Sequence, residues 1–192
     1  MKQNLTDIKK ALKKELDKER FEHTLGVMYT AAALAMAHGV NLHQAMLAGL
    51  LHDCAKCIPT EEKFALCKKH QITLTEMEQK NPSLIHAKLG AFLAKEKYGV
   101  RDEAVLHAIL VHTTGEPGMG LLDKIIYLAD YMEPNRDKAS DLDEVRPLCF
   151  KDLDEALRMV LRDTLTYLKE NDKEIDPLSV ETYEYYKKLK EA

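Results

Sequence analysis

Apolar residues recur at helical spacing along almost the whole chain, and strand-like alternation is absent. A pattern of that kind is buried by packing helix against helix, so the expected fold class is all-α. Residues 5–17 read as an amphipathic helix with Leu5, Ile8, Leu12 and Leu16 on one face. A second helix runs from about Glu19 to Ala37 and stops at His38-Gly39. Asn41 is expected to cap the next helix, with Gln44 as its capping-box partner. Pro59-Thr60-Glu61-Glu62 opens another, with Thr60 as cap and two acids near the positive end of the dipole. Asn81-Pro82 opens a helix that reaches about Tyr98-Gly99. Further helices are expected from Arg101 to about His112, from Leu121 to Met132, from Asp143 to Phe150, from Asp152 to Glu170 and from Leu178 to Lys190. A loop follows His112, and residues 134–141 are polar and irregular.

Length and charge narrow what such a bundle does. At 192 residues, with no repeat, low-complexity tract or clear linker, the chain reads as one domain, 1–192. The net charge of −4 leaves no electrostatic footprint for nucleic acid. The longest purely apolar run, Ala31 to Ala37, is too short to span a bilayer. Met1-Lys2-Gln3-Asn4 leads into a charged helix rather than an apolar signal core, so a cytoplasmic protein without a membrane partner is expected. An anionic substrate would then need local cations or metals. Cys54 and Cys57 have redox or zinc spacing, but no βαβ pattern surrounds them, and Cys67 and Cys149 form no second pair. They read as reduced thiols.

The unusual residues are the ionisable ones set inside apolar helices. His23 lies in Phe21–Val27, His86 in Leu84–Gly90, Asp130 in Ile125–Tyr131, and His112 ends Ala108–Val111. His52-Asp53 follows the apolar run Ala45–Leu51. A lone residue of this kind is usually a satisfied core residue. Together they would leave many buried polar groups to explain. A shared metal centre explains them at once. Imidazole and carboxylate donors without thiolate suit iron, manganese, zinc, cobalt or nickel alike. A ferritin-like di-iron bundle needs Glu three residues before a ligating His, and no histidine here has one. His38, His43 and His70 read as surface residues. His107 sits about 140° around its helix from His112, off the ligand face.

The order His23, His52-Asp53, His86, His112, Asp130 resembles the HD-domain metal-dependent phosphohydrolase superfamily. The resemblance is closer to the YqeK-type symmetrical dinucleoside tetraphosphatases. It is carried by Arg20-Phe21-Glu22-His23, Ala48–Lys56, His112-Thr113-Thr114-Gly115 and Asp123–Arg136, and it spans nearly the whole chain. It implies an HD-type helical bundle with its metal-binding core at about 18–136 and C-terminal helices at about 143–192. It implies that His23, His52, Asp53 and Asp130 hold one metal, and that Asp53 bridges to a second completed by His86 and His112. Iron is the expected metal. His52, Asp53 and Lys56 are the expected catalytic residues. Arg20, Lys56, Thr113 and Arg136 are expected at phosphate, and Ile175 at the base. Lys56 and Arg136 are expected to act without being needed for metal binding. The implied reaction cuts diadenosine tetraphosphate into two nucleoside diphosphates, and the implied assembly is a homodimer. Two other readings stay open at this point. One is another HD hydrolase, acting on a nucleotide or cyclic phosphodiester. The other is a catalytically inactive HD interaction module.

Overall fold

The computed structural model describes residues 4–191, which form eleven α-helices and no strand. In order they are α1 (Leu5–Glu15), α2 (Lys18–His38), α3 (Leu42–Leu51), α4 (Thr60–Lys69), α5 (Glu76–Lys80) and α6 (Ile85–Glu96). They continue as α7 (Glu103–Val111), α8 (Leu121–Met132), α9 (Leu142–Cys149), α10 (Leu153–Glu170) and α11 (Pro177–Glu191). Among the described residues no helix is long and apolar enough to cross a membrane.

Capping sets most of the boundaries. Asp17 accepts from the Arg20 N–H at 2.8 Å and starts α2. Gly39 ends that helix in the left-handed region at φ 69°, a conformation with little steric cost for glycine. Asn41 caps α3 through the His43 and Gln44 N–H groups. Gln44 is drawn elsewhere: its amide donates to Asp102 at 2.7 Å and ties α3 to the start of α7. Thr60 is not a cap. It is the first residue of α4, after Pro59, and no side chain caps that end. Pro82–Leu84 form a 3-10 turn that runs into α6. The short α5 went unread in the sequence although Thr75 and Glu78 build a full capping box there, because one turn carries too few apolar positions to show a period.

α8 lies at the centre. Leu122, Ile125, Ile126, Leu128, Ala129 and Met132 bury it almost all round, against α2, α3, α7 and α10. Burying each large side chain of this kind stabilises the fold by roughly 1.5–3 kcal/mol. α2 and α3 cross closely, and a Cβ at Gly49 would stand 3.0 Å from the Met28 Cα. That approach sets the end of α3 beside the middle of α2. A smaller cluster of Ala55, Cys67, Ile85 and Leu89 fastens α4 to α6.

α10 and α11 are pinned at the surface by Glu155, which meets Arg158 at 2.7 Å and Lys190 at 2.7 Å. The Arg158 hydrogen bond chiefly, against some burial and with help from Lys190, holds the Glu155 carboxyl at about 2. A depressed carboxyl stabilises the folded state above its ordinary range and loses that effect as pH falls through its folded value. Glu155→Gln should therefore lower stability by about 1 kcal/mol at neutral pH, allowing for solvent screening. Urea midpoints of the two proteins should converge as pH falls from 5 towards about 2. A gap that stays constant over that range would assign the loss to packing instead.

Candidate metal centre

The helix ends and faces just described bring the marked side chains to one place. His23 comes from α2 and His86 from the first turn of α6. His52 and His112 are the residues that end α3 and α7, Asp53 follows His52, and Asp130 sits near the end of α8. His23, His52, Asp53, His86 and His112 are buried, and Asp130 opens to solvent at 24%.

Each imidazole is oriented through its Nδ1. His52 Nδ1 lies 2.7 Å from the Gly49 carbonyl, His112 Nδ1 lies 2.7 Å from the Ile109 carbonyl, and His86 Nδ1 meets the Ser83 carbonyl. A carbonyl only accepts, so the proton belongs on Nδ1 and a neutral ring presents a bare lone pair at Nε2. Burial, against the pull of Asp53, pushes His86 down to about 4 and keeps it neutral. His23 Nδ1 faces the Glu133 carboxylate at 3.1 Å instead.

The Nε2 atoms point at one another and at carboxylate oxygens. His86 Nε2 is 3.1 Å from His112 Nε2 and 3.1 Å from Asp53 Oδ1, which is also 3.7 Å from His112 Nε2. On the other side His23 Nε2 is 3.0 Å from Asp130 Oδ1, and His52 Nε2 is 3.5 Å from Asp53 Oδ2 and 3.9 Å from Asp130 Oδ1. His23 Nε2, His52 Nε2 and Asp53 Oδ1 are buried and, among the described residues, lack a hydrogen-bond partner. Lone pairs set against lone pairs in a buried site repel unless a cation lies between them. Two groups, His23–His52–Asp130 and His52–Asp53–His112, each have donor atoms within 4.8 Å of one another. His86 joins the second through its two 3.1 Å contacts. The donor set fits a metal pair, with Asp53 turning one oxygen to each side.

Cations ring this centre. Arg20 Nη1 donates to Asp53 Oδ2 at 2.7 Å. Lys56 Nζ lies 3.2 Å from His86 Nε2 and 3.9 Å from Asp53 Oδ1. Arg136 donates to the Asp130 carboxylate at 2.9 Å and to its carbonyl at 3.1 Å. Thr113 Oγ1 is 3.4 Å from His112 Nε2. Arg20, Lys56, Arg136 and Thr113 line a cavity of about 1030 Å³ that opens over the centre. Lys56 and Arg136 each contact a member of the ligand set directly, His86 and Asp130 respectively. Ile175 is half-buried in the loop between α10 and α11 and does not line this cavity.

Other marked residues lie elsewhere. His107 bridges Glu116 and Asp123, at 3.1 Å to each. Cys54 is buried against the Gly90 carbonyl, and burial pushes its thiol up to about 12. Cys57 donates to Asp17 at 3.3 Å, and all the cysteines are free thiols.

The functional residue that sequence reasoning missed is Glu133. It is buried, holds His23 Nδ1 with one oxygen and accepts the Asn135 N–H with the other at 2.8 Å. The signal was Gly26, three residues after His23: a Cβ there would stand 2.3 Å from Glu133 Oε2. Carboxylates that orient a ligating histidine typically contribute about 10–100-fold to metal affinity. Gly26→Ala should push Glu133 off His23 and weaken metal binding by about that factor in a protein that still folds. Metal titration of the variant would test this, and unchanged affinity would mean that Glu133 does not orient His23.

Comparison with known proteins agrees with the geometry. Residues 20–135 match the HD domain family. The chain is 40% identical to "Bis(5'-nucleosyl)-tetraphosphatase, symmetrical" of Bacillus subtilis, over 91% of this chain and 92% of the relative. It is 39% identical to the protein of the same name from Halalkalibacterium halodurans, over 90% and 91% of the two chains. A crystal structure from Clostridium acetobutylicum, described as a predicted HD superfamily hydrolase involved in NAD metabolism, superposes with a TM-score of 0.92 at 37% identity. It covers 97% of this chain and 98% of its own. With its histidines and aspartates gathered on helix ends inside residues 20–135, the chain belongs to the HD domain family.

Proposed function

We propose that the protein is a metal-dependent hydrolase that cuts dinucleoside tetraphosphates symmetrically into two nucleoside diphosphates. The observation that carries the metal part is the set of buried Nε2 and carboxylate atoms facing one another. The substrate is supported by the relatives' names. One site is held by His23, His52, Asp53 and Asp130, the other by Asp53, His86 and His112. Iron is the first candidate, and manganese, cobalt, nickel and zinc suit the same donors. Bound there, the metals supply an acidified water and positive charge for phosphate oxygens.

The chain's own side chains do the rest. Asp53 and His52 place the charge at the cavity floor. Arg20, Lys56 and Arg136 reach the cavity from three sides and take phosphate oxygens, the arginines with two N–H groups at a time. Thr113 offers a hydroxyl beside His112. In the overall reaction one water is consumed and the bridging P–O bond between the second and third phosphates breaks. Each half leaves as a nucleoside diphosphate. Residues 1–192 act as one unit, with the metal-binding core at about 18–136 and the helices of 143–192 packed on it. Leu153, Leu157 and Tyr186 share one hydrophobic cluster with Ile125 and Met28, which supports this division.

Chelation tests the metal requirement. Removing metal should abolish turnover of diadenosine tetraphosphate, and adding back one of the transition metals should restore it. Full turnover in a protein shown by elemental analysis to be metal-free would remove the reading.

A further inference from the structure

The end of α8 and the turn after it serve one side of the metal centre. Asp130 lies in the last turn of the helix, Glu133 ends it, and the Arg136 N–H returns to the Glu133 carbonyl at 2.9 Å. Glu133 orients His23, and Arg136 holds the Asp130 carboxylate. Both contacts fall on the side formed by His23, His52 and Asp130. Pro134 cannot continue the helix, so the last carbonyls need partners from elsewhere.

Arg146 of α9 supplies them. Its Nε donates to the Met132 carbonyl at 3.1 Å, and its Nη2 donates to the Arg136 carbonyl at 2.8 Å and to the Glu133 carbonyl at 3.3 Å. A cation at the carbonyl end of a helix is favoured electrostatically, and a planar guanidinium fork meets several acceptors in a fixed geometry. Arg146 is half-buried and does not line the cavity, so it reaches the centre only through the turn.

α9 is itself held independently of that turn. Leu142, Val145 and Cys149 are buried on either side of Arg146. At its start Arg162 of α10 donates to Asp141 at 3.2 Å, and at its end His38 Nε2 of α2 lies 2.7 Å from the Cys149 carbonyl. A helix fastened at both ends lets Arg146 impose a position on the turn rather than follow it.

We propose that Arg146 is a positioning residue for the metal centre. By binding the Met132, Glu133 and Arg136 carbonyls it sets the turn that aims Glu133 at His23 and Arg136 at Asp130, and so fixes the His23 side without touching metal or substrate. The assignment rests on the metal-dependent reading of the centre.

Calorimetric titration of metal-free protein with manganese(II), an ion with little affinity for the free thiols, tests the two sides separately. His86→Ala leaves the His23 side to bind, and His23→Ala leaves the other. Arg146→Met keeps an aliphatic stem and removes the fork. In the His86→Ala background it should weaken manganese about ten- to hundredfold, the range for losing a group that orients a ligand. In the His23→Ala background the affinity should stay as it was. Adding Gly26→Ala, which displaces Glu133 by itself, should cost little beyond Arg146→Met alone, because both act through one contact. Arg146→Lys, which keeps the charge but not the fork, should give a smaller loss on the same side, and it carries the test if circular dichroism shows Arg146→Met unfolded. Equal weakening in both backgrounds, additive losses with Gly26→Ala, or unchanged affinity on the His23 side would overturn the assignment while leaving the phosphohydrolase reading intact. Failure of the unmodified protein to bind manganese would remove both.

Discussion

Asp53→Ala should strip the protein of both metal ions, whereas His86→Ala or His23→Ala should each remove one. The expectation follows from the two oxygens of one carboxylate. Oδ1 faces His86 and His112, and Oδ2 faces His52 and His23, the last at 3.9 Å. Losing the shared residue opens both sides, while losing an outer imidazole opens one. Metal centres of this kind contribute several kcal/mol to the barrier, and about 1.4 kcal/mol is a factor of ten in rate. Turnover of the tetraphosphate by Asp53→Ala should therefore fall roughly a thousandfold or more. Elemental analysis of purified variants checks the metal, and circular dichroism checks that the bundle remains. Equal metal loss in all three variants would show that Asp53 does not bridge. Full occupancy in Asp53→Ala would remove it from the ligand set.

Lys56→Ala and Arg136→Ala should each reduce kcat/KM for the tetraphosphate about ten- to hundredfold, corresponding to one lost charge-assisted contact of roughly 1.5–3 kcal/mol. The two should differ in what else they change. Arg136 bonds to Asp130 at both its carboxylate and its carbonyl. Its loss should also loosen metal on the His23 side, and Arg136→Lys should recover only part of the effect, because an ammonium lacks the fork. Lys56 approaches His86 Nε2 only as a donor. Its removal should leave metal in place and act on substrate alone. Wild-type efficiency in either metal-replete variant would make that residue a solvated surface charge.

The helices were legible because their signals are local. Leu121–Met132 matches α8 residue for residue, since its apolar residues and the Glu133-Pro134 stop sit in one short window. Asn41 and Gly39 mark their helix ends by the same kind of near-neighbour chemistry. The signals failed where the partner lies far along the chain. Gln44 was read as a capping-box member, but Asp102 competes for it from 58 residues away. Glu133 sits within a recognised segment, yet its bond to His23 spans 110 residues, and only the missing Cβ at Gly26 hinted at it. The polar residues in apolar helices pointed to a shared site without giving its distances.

Product chromatography of diadenosine tetraphosphate, run on metal-loaded protein until the substrate is consumed, separates the symmetrical reaction from every other cleavage of the same molecule. The expected result is ADP as the only nucleotide, two for each tetraphosphate, with none formed after chelation and with formation by Asp53→Ala slowed roughly a thousandfold or more. AMP and ATP in equal amounts, or an intact tetraphosphate in the presence of a filled metal pair, would contradict it.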